Sequence, residues 1–247
     1  MLLRDNLVYG TMRVAGSFDG TILRPREPRS AIAVLKAAHK AGFRYFDTAP
    51  LYALGRAEVL LGEALHGLHC CVETKVGVDI NHKPFPKVDF SPKAIESSLE
   101  GSLKRLNGLH VSRVYFHNPP ARILQGFVLE DLTRRIRTIL GAECRIGVSL
   151  CSIGDSDHIA EGSPIDSIMV SLRDLMNDSA RRCALERKYN IVVREVFIGG
   201  TLIAGLPLQK CLKAHFIRSM IERIPSGKGC RIVVAPRTIR QLCDYCR

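Results

Sequence analysis

A regular alternation of short β-branched segments with longer amphipathic stretches constrains this chain more than any other feature. Candidate strands are Leu7–Tyr9, Phe43–Phe46, Val72–Thr74, Val114–Phe116, Arg145–Val148, Ser167–Val170, Ile191–Val193 and Ile232–Val234. Helical stretches fill the intervals at Pro28–Ala41, Arg56–Leu65, Ser91–Leu106, Val128–Leu140, Asn177–Tyr189 and Lys210–Arg223, with a short one at Thr238–Tyr245. Strands alternating with helices build a parallel sheet through crossover units. Eight strands close a barrel, and such barrels usually take about 250 residues; this chain has 247. The expected fold is therefore α/β, a single parallel (β/α)8 TIM barrel domain over residues 1–247.

Local chemistry supports these assignments. Ile32, Leu35 and Ala38 recur at helical spacing, and Gly42 ends that helix. Ser91 followed by Pro92 is a helix-start signal, because serine can cap the first free amides and proline lacks the amide hydrogen that would go unpaired. The polar interval Gly77–Phe90 predicts a loop, and Cys151–Pro164 is short for a helix.

A hydrophobic fraction of 46% supplies a sizeable core and excludes a disordered chain. No run approaches the ~18 to 20 apolar residues of a membrane span, and the N-terminus never builds a signal peptide's apolar region. A soluble, cytoplasmic protein is expected, with a monomer favoured over an oligomer. The nine cysteines are odd in number and mostly set in apolar runs, which predicts buried thiols rather than a disulfide framework. Cys243 and Cys246 form an isolated pair without two further ligands, so no metal site is expected. The net charge of +12 is concentrated late, with 15 Lys or Arg against 6 Asp or Glu from Arg173 onward. A solvated surface and an anionic ligand both account for it; a nucleic-acid partner is not expected, since no recognition motif accompanies the charge.

Asp47, Lys75 and His117 fall at the ends of three successive predicted strands, and Tyr52 lies in the loop after the second. Neighbouring parallel strands lie ~4.8 Å apart with their carboxyl ends on one face. Four polar groups distant in sequence thus converge on the barrel mouth. The blocks that carry them are GFRYFDTAPLYALGRAEVLLGEAL from Gly42, ETKVG from Glu73, YFHNPP from Tyr115 and IGVS from Ile146.

In that order, these blocks closely resemble the aldo-keto reductases. The resemblance implies a nicotinamide-dependent carbonyl reductase acting on a small molecule with NADPH. It implies Tyr52 as general acid, Lys75 paired with Asp47 to lower the tyrosine pKa, and His117 as hydrogen-bond partner of the substrate oxygen. It further implies cofactor contacts at Gly10, Thr11 and Met12, at Ser149, at the position of Arg194, and in the loop carrying Gly199, Gly200, Thr201 and Leu202. Arg237 and Thr238, opening the last helix, match the corner that takes the adenosine 2′-phosphate.

Departures from the family pattern accompany the match. Leu150 stands where most members have Asn, Met169 where a carboxamide-binding Gln is usual, Arg194 in place of an aromatic ring, and Tyr245 in place of an adenine-side Asn. The N-terminal hairpin and the C-terminal helix of the family are reduced or absent from this sequence, which predicts an open pocket. The same four residues leave two alternatives: cofactor-independent elimination or isomerisation beside a carbonyl, and a non-catalytic nucleotide-binding relative.

Overall fold

The structure, a computed structural model, describes residues 6–18, 23–196, 219, 221–222, 224 and 229–246. Eight parallel strands close into a barrel: β1 (Leu7–Gly10), β4 (Tyr45–Asp47), β5 (Cys71–Val76), β8 (His110–His117), β9 (Arg145–Ser149), β10 (Ser167–Ser171), β11 (Asn190–Arg194) and β12 (Arg231–Val234). Each pairs with its neighbours in that order, and β12 returns to β1 with Val8 opposite Val233. Two small antiparallel hairpins decorate the mouth, β2 (Gly16–Phe18) with β3 (Leu23–Pro25) and β6 (Val78–Asp79) with β7 (Lys87–Val88). The second hairpin occupies the interval expected to be plain loop.

Helices α1 (Pro28–Lys40), α2 (Arg56–Leu65), α3 (Pro92–Leu106) and α4 (Gly126–Leu140) wrap the first half. Glu27 caps α1, its carboxylate accepting from the amides of Arg29 and Ser30 at 2.9 and 2.7 Å. Ser91 caps α3 in the same way. One face of each helix meets the sheet: Ala31, Val34, Leu35 and Ala38 on α1, and Ile95, Leu99 and Leu106 on α3, are buried. Burying one such leucine fully contributes about 1.5 to 3 kcal/mol. No helix of the described residues is long and apolar enough to cross a membrane.

The second half departs from regularity. Only a short 3-10 helix of two turns, Ile153–His158, stands between β9 and β10. The helical stretch after β10 is two pieces, α5 (Leu172–Asn177) and α6 (Ser179–Lys188), because Asp178 turns its carboxylate onto the Arg181 amide and starts a new helix. Helix α7 (Ile239–Cys246) packs beside α1. The helix expected at Lys210–Arg223 falls mostly outside the described residues. Of the cysteines, Cys70, Cys144 and Cys230 are buried, and burial pushes their thiols up to about 11. Cys151 and Cys183 are exposed, departing from the expectation of mostly buried thiols: Cys151 follows β9 at the mouth, and Cys183 lies on the outer side of α6.

Candidate active site

Strand β5 reads Cys-Val-Glu-Thr-Lys-Val, and successive residues of a strand face opposite sides. Thr74 faces the helices, where its hydroxyl donates to Glu58 of α2 at 2.7 Å. Glu73 and Lys75 therefore face inward, one above the other. Strand β8 reaches the same alternation through a register irregularity. Val72 pairs with Val111 but Glu73 with Arg113, so Ser112 is an extra residue that resets the phase. From there Arg113, Tyr115 and His117 face inward as Val114 and Phe116 join the outer core.

The lower interior is ionic. Glu73, fully buried, accepts from Arg113 at 2.8 Å, Arg231 at 2.5 Å and the Tyr115 hydroxyl at 3.0 Å. Arg231 also lies over the Tyr45 ring, 3.7 Å from its centroid. Two cations thus neutralise a carboxylate that burial alone would make prohibitively costly. Above this layer Tyr115, Met169, Val192 and Val233 form an apolar plug. Gly147 makes room for it, since a Cβ there would lie 2.5 Å from the Tyr115 ring.

The plug carries the mouth. Lys75, 1% exposed, forms an ion pair with Asp47 and donates to the Thr48 carbonyl at 2.9 Å. Asp47 ends β4, directly opposite Gly10 of β1 and Glu73 of β5. The Tyr52 hydroxyl donates to the other Asp47 oxygen at 3.4 Å, and the Lys75 ammonium lies 4.6 Å from the Tyr52 ring centroid. His117 ends β8 and meets Tyr52 edge-on, ring centroids 6.4 Å apart. Tyr52 is held by a tight turn in which Ala53, Leu54 and Gly55 all take positive φ, at 53°, 54° and 85°. Left-handed backbone at two non-glycine residues is strain of the kind that concentrates at functional sites.

The electrostatics of the four are coupled. Burial works to strip the proton from Lys75, but Asp47 and Tyr52 together, through charge and hydrogen bonding, outweigh it and raise the ammonium's pKa. Burial, reinforced by Asp47, raises the Tyr52 phenol against the opposing pull of Lys75 and Arg194. The lowered tyrosine pKa implied by the sequence is thus reversed, because desolvation of a phenolate outweighs one neighbouring cation already shared with a carboxylate. His117 is pushed down to about 3 by burial, then by Lys75 and Arg194. Burial draws the Asp47 carboxyl upward against the opposing pull of Lys75, so the proton shared along this pair is held tightly. At neutral pH the site holds a neutral phenol, the Lys75 ammonium and a neutral imidazole.

The remaining sequence-derived positions divide. Gly10 and Thr11 lie at this corner, Thr11 donating its amide to the Asp47 carbonyl at 2.9 Å and burying a hydroxyl that has no hydrogen-bond partner. Ser149 ends β9 opposite His117 and is 3% exposed. Met12 stands on the rim, 56% exposed. Met169 belongs to the plug and offers the mouth no polar group. Arg194 ends β11 and donates to the Leu150 carbonyl at 2.9 Å. Arg237 and Thr238 follow β12, the neighbour of β1, and both are exposed, with Thr238 accepting from the Gln241 amide at 3.1 Å. Gly199, Gly200, Thr201 and Leu202 lie outside the described residues. Sequence reasoning missed Glu73, Arg113 and Arg231; the two-residue spacing of Glu73 from Lys75 was the available signal. Among the described residues no group of three His, Cys, Asp or Glu is placed to hold a metal ion.

A closed parallel barrel with its ionisable residues gathered at the carboxyl ends of the strands defines a (β/α)8 protein of the kind that places its site on that face. The aldo/keto reductase family profile matches residues 6–193, and the chain belongs to that family. A probable aldo-keto reductase from Glycine max is 26% identical over 238 residues, covering 91% of this chain and 66% of the relative. This chain thus spans less than two thirds of the curated relative's length. A solved aldo-keto reductase from Bacillus halodurans in its holo form superposes with a TM-score of 0.76 at 19% identity, covering 98% of this chain and 85% of that one. Another, from Klebsiella pneumoniae in complex with NADP and acetate, gives a TM-score of 0.68 at 17% identity, covering 98% and 84%.

Proposed function

We propose that this chain reduces an aldehyde or ketone to the alcohol with NADPH, in one barrel domain over residues 1–247 and in the cytoplasm, Tyr52 acting as general acid. The observation that carries it is the linked set Lys75–Asp47–Tyr52 with His117 edge-on to the tyrosine. The residues present fit a nicotinamide dinucleotide. Thr11 offers a buried, unpartnered hydroxyl just past the end of β1, Ser149 lies across the mouth at the end of β9 beside His117, and exposed Arg237 precedes α7, where a cation can meet a 2′-phosphate. The NADP in the Klebsiella pneumoniae relative supports the same class of cofactor. When bound, that cofactor supplies the hydride.

Tyr52 keeps its proton at neutral pH because burial and Asp47 hold its pKa up. A general acid must be protonated when substrate arrives. Its O–H breaks as the substrate oxygen gains the proton, and the phenolate left behind is met by the Lys75 ammonium. Asp47 keeps that ammonium charged and aimed. His117, neutral, hydrogen-bonds the substrate oxygen without adding a competing charge. The phenolate then recovers a proton from solvent.

The test is stopped-flow oxidation of NADPH by a panel of aldehydes. Tyr52→Phe should fold with unchanged circular dichroism and lose about 10²- to 10⁴-fold in reduction rate. A wild type that never oxidises NADPH, yet turns over a carbonyl compound in its absence with Tyr52 still required, would replace this function with lyase or isomerase chemistry.

A further inference from the structure

From the placement of Arg194 we infer that the substrate is an oxo acid, a carbonyl compound whose carboxylate is held by Arg194 while its carbonyl meets Tyr52 and His117. The inference rests on the reductase function proposed above and names its substrate class.

Arg194 closes β11 at the mouth, its backbone in register with Ser171 of β10. Its Nη2 donates to the carbonyl of Leu150, the residue after Ser149, and Ser149 is paired across the sheet with His117. The guanidinium is thereby tied to the strand end that adjoins His117. Its charge reaches both reacting groups, helping to depress His117 and favouring Tyr52 ionisation. A positively charged fork at this place is a good receptor for a carboxylate.

The structure already shows a carboxylate on it. Nη1 of Arg194 is ion-paired with Glu195, the next residue, which takes a left-handed backbone at φ 60°. The Glu195 side chain is 59% exposed whereas that of Arg194 is 22% exposed. An exposed pair of this kind is weakly held. A substrate carboxylate arriving from the mouth can take the place of Glu195 with its charge balance unchanged, and Glu195 returns to water. Nε of Arg194 is buried without a partner, so the Leu150 and Glu195 contacts leave the guanidinium short of its full complement of acceptors.

The experiment compares 4-carboxybenzaldehyde with its methyl ester, which keeps the ring and aldehyde and removes the charge. Binding is measured calorimetrically with oxidised NADP present, where no reduction occurs, and NADPH consumption is followed separately. Wild type should bind the acid about 10- to 100-fold more tightly than the ester, the range of a charge-assisted contact. Arg194→Met should bring that ratio close to one, Arg194→Lys should keep part of it, and Glu195→Gln should strengthen acid binding. Equal binding of acid and ester by wild type overturns the inference, as does an equal loss for both in Arg194→Met, which would make Arg194 only a tether for Leu150. An Arg194-dependent acid preference without NADPH consumption by either aldehyde upholds the anion site and overturns the reductase function. NADPH consumption without an acid preference does the reverse.

Discussion

Removing the Lys75 ammonium is the most informative single perturbation, because it separates packing from charge. The side chains of Lys75 and Asp47 are 1% and 4% exposed, so solvent barely screens the pair. In Lys75→Met the Asp47 carboxylate keeps the Tyr52 hydroxyl as a donor but loses its counter-charge in a buried site. Stranding one member of a buried pair costs about 3 to 5 kcal/mol, and Asp47→Asn should cost about as much by stranding Lys75. For a chain of this size ~1 kcal/mol moves the melting temperature by ~2 to 4 °C, so each single variant should melt about 6 to 20 °C lower. The double variant removes both charges and should melt well above the sum of the two losses. The assay is thermal unfolding by far-ultraviolet circular dichroism across all four proteins at pH 7. Losses that simply add in the double variant would refute the coupling and make the ion pair incidental. The pH dependence has a definite sign. The folded pKa of Lys75 is raised, so the pair's contribution is whole below the ordinary lysine value of 10.5 and is lost as pH climbs through the higher folded value.

Other outcomes follow from the same geometry. Arg237→Ala should weaken NADPH binding about 10- to 150-fold while leaving NADH binding nearly unchanged; equal loss for both in fluorescence titration would remove the 2′-phosphate role. His117 falls from 6.5 in the unfolded chain to about 3 in the folded one, so the unfolded state binds the extra proton between those values and stability drops as pH falls through that window. Urea midpoints from pH 7 to pH 3 should show a slope that His117→Asn reduces, and an unchanged slope would contradict it. Glu73→Gln leaves Arg113 and Arg231 facing a neutral amide and should cost about 3 to 5 kcal/mol. Urea unfolding reads that loss, and a change under about 1 kcal/mol would show the ionic layer to be dispensable.

The barrel was legible because its signal is repeated. Eight short strand runs, all but the fifth followed by a helical period, leave few topologies open. The four mouth residues were legible because each ends a strand or follows one. The ionic layer was not: Arg231 lies far from Glu73 in the chain, and no local pattern announces which arginine enters a barrel. The direction of the Tyr52 shift was hidden for a related reason. A sequence places Lys75 beside the phenol but says nothing of how much water burial removes, and the removal of water is the larger effect here. Helix α6 matches the stretch expected at Asn177–Tyr189, whereas the short α5 ahead of it, capped by Ser171, escaped periodicity because six residues repeat too little to be read.

Ser112 in β8 contributes little as a chemical group. Its hydroxyl reaches the Val72 carbonyl at 3.4 Å, a long contact that many residues could forgo. As the unpaired residue of a bulge, however, it decides which side of the sheet everything after it occupies. With Ser112 looped out of the ladder, Val111 points outward with Val72, and Arg113, Tyr115 and His117 point into the lumen. Drawing Ser112 into the ladder opposite Glu73 would exchange the two faces of the strand's upper half, sending the imidazole among the helices and a valine and a phenylalanine into the mouth. What this position carries is therefore spacing rather than side-chain identity. Deleting Ser112 would leave Val111 and Arg113 alternating without a break and the imidazole where it is, whereas ironing out the bulge with its residue retained would remove a reacting group five residues away without altering it.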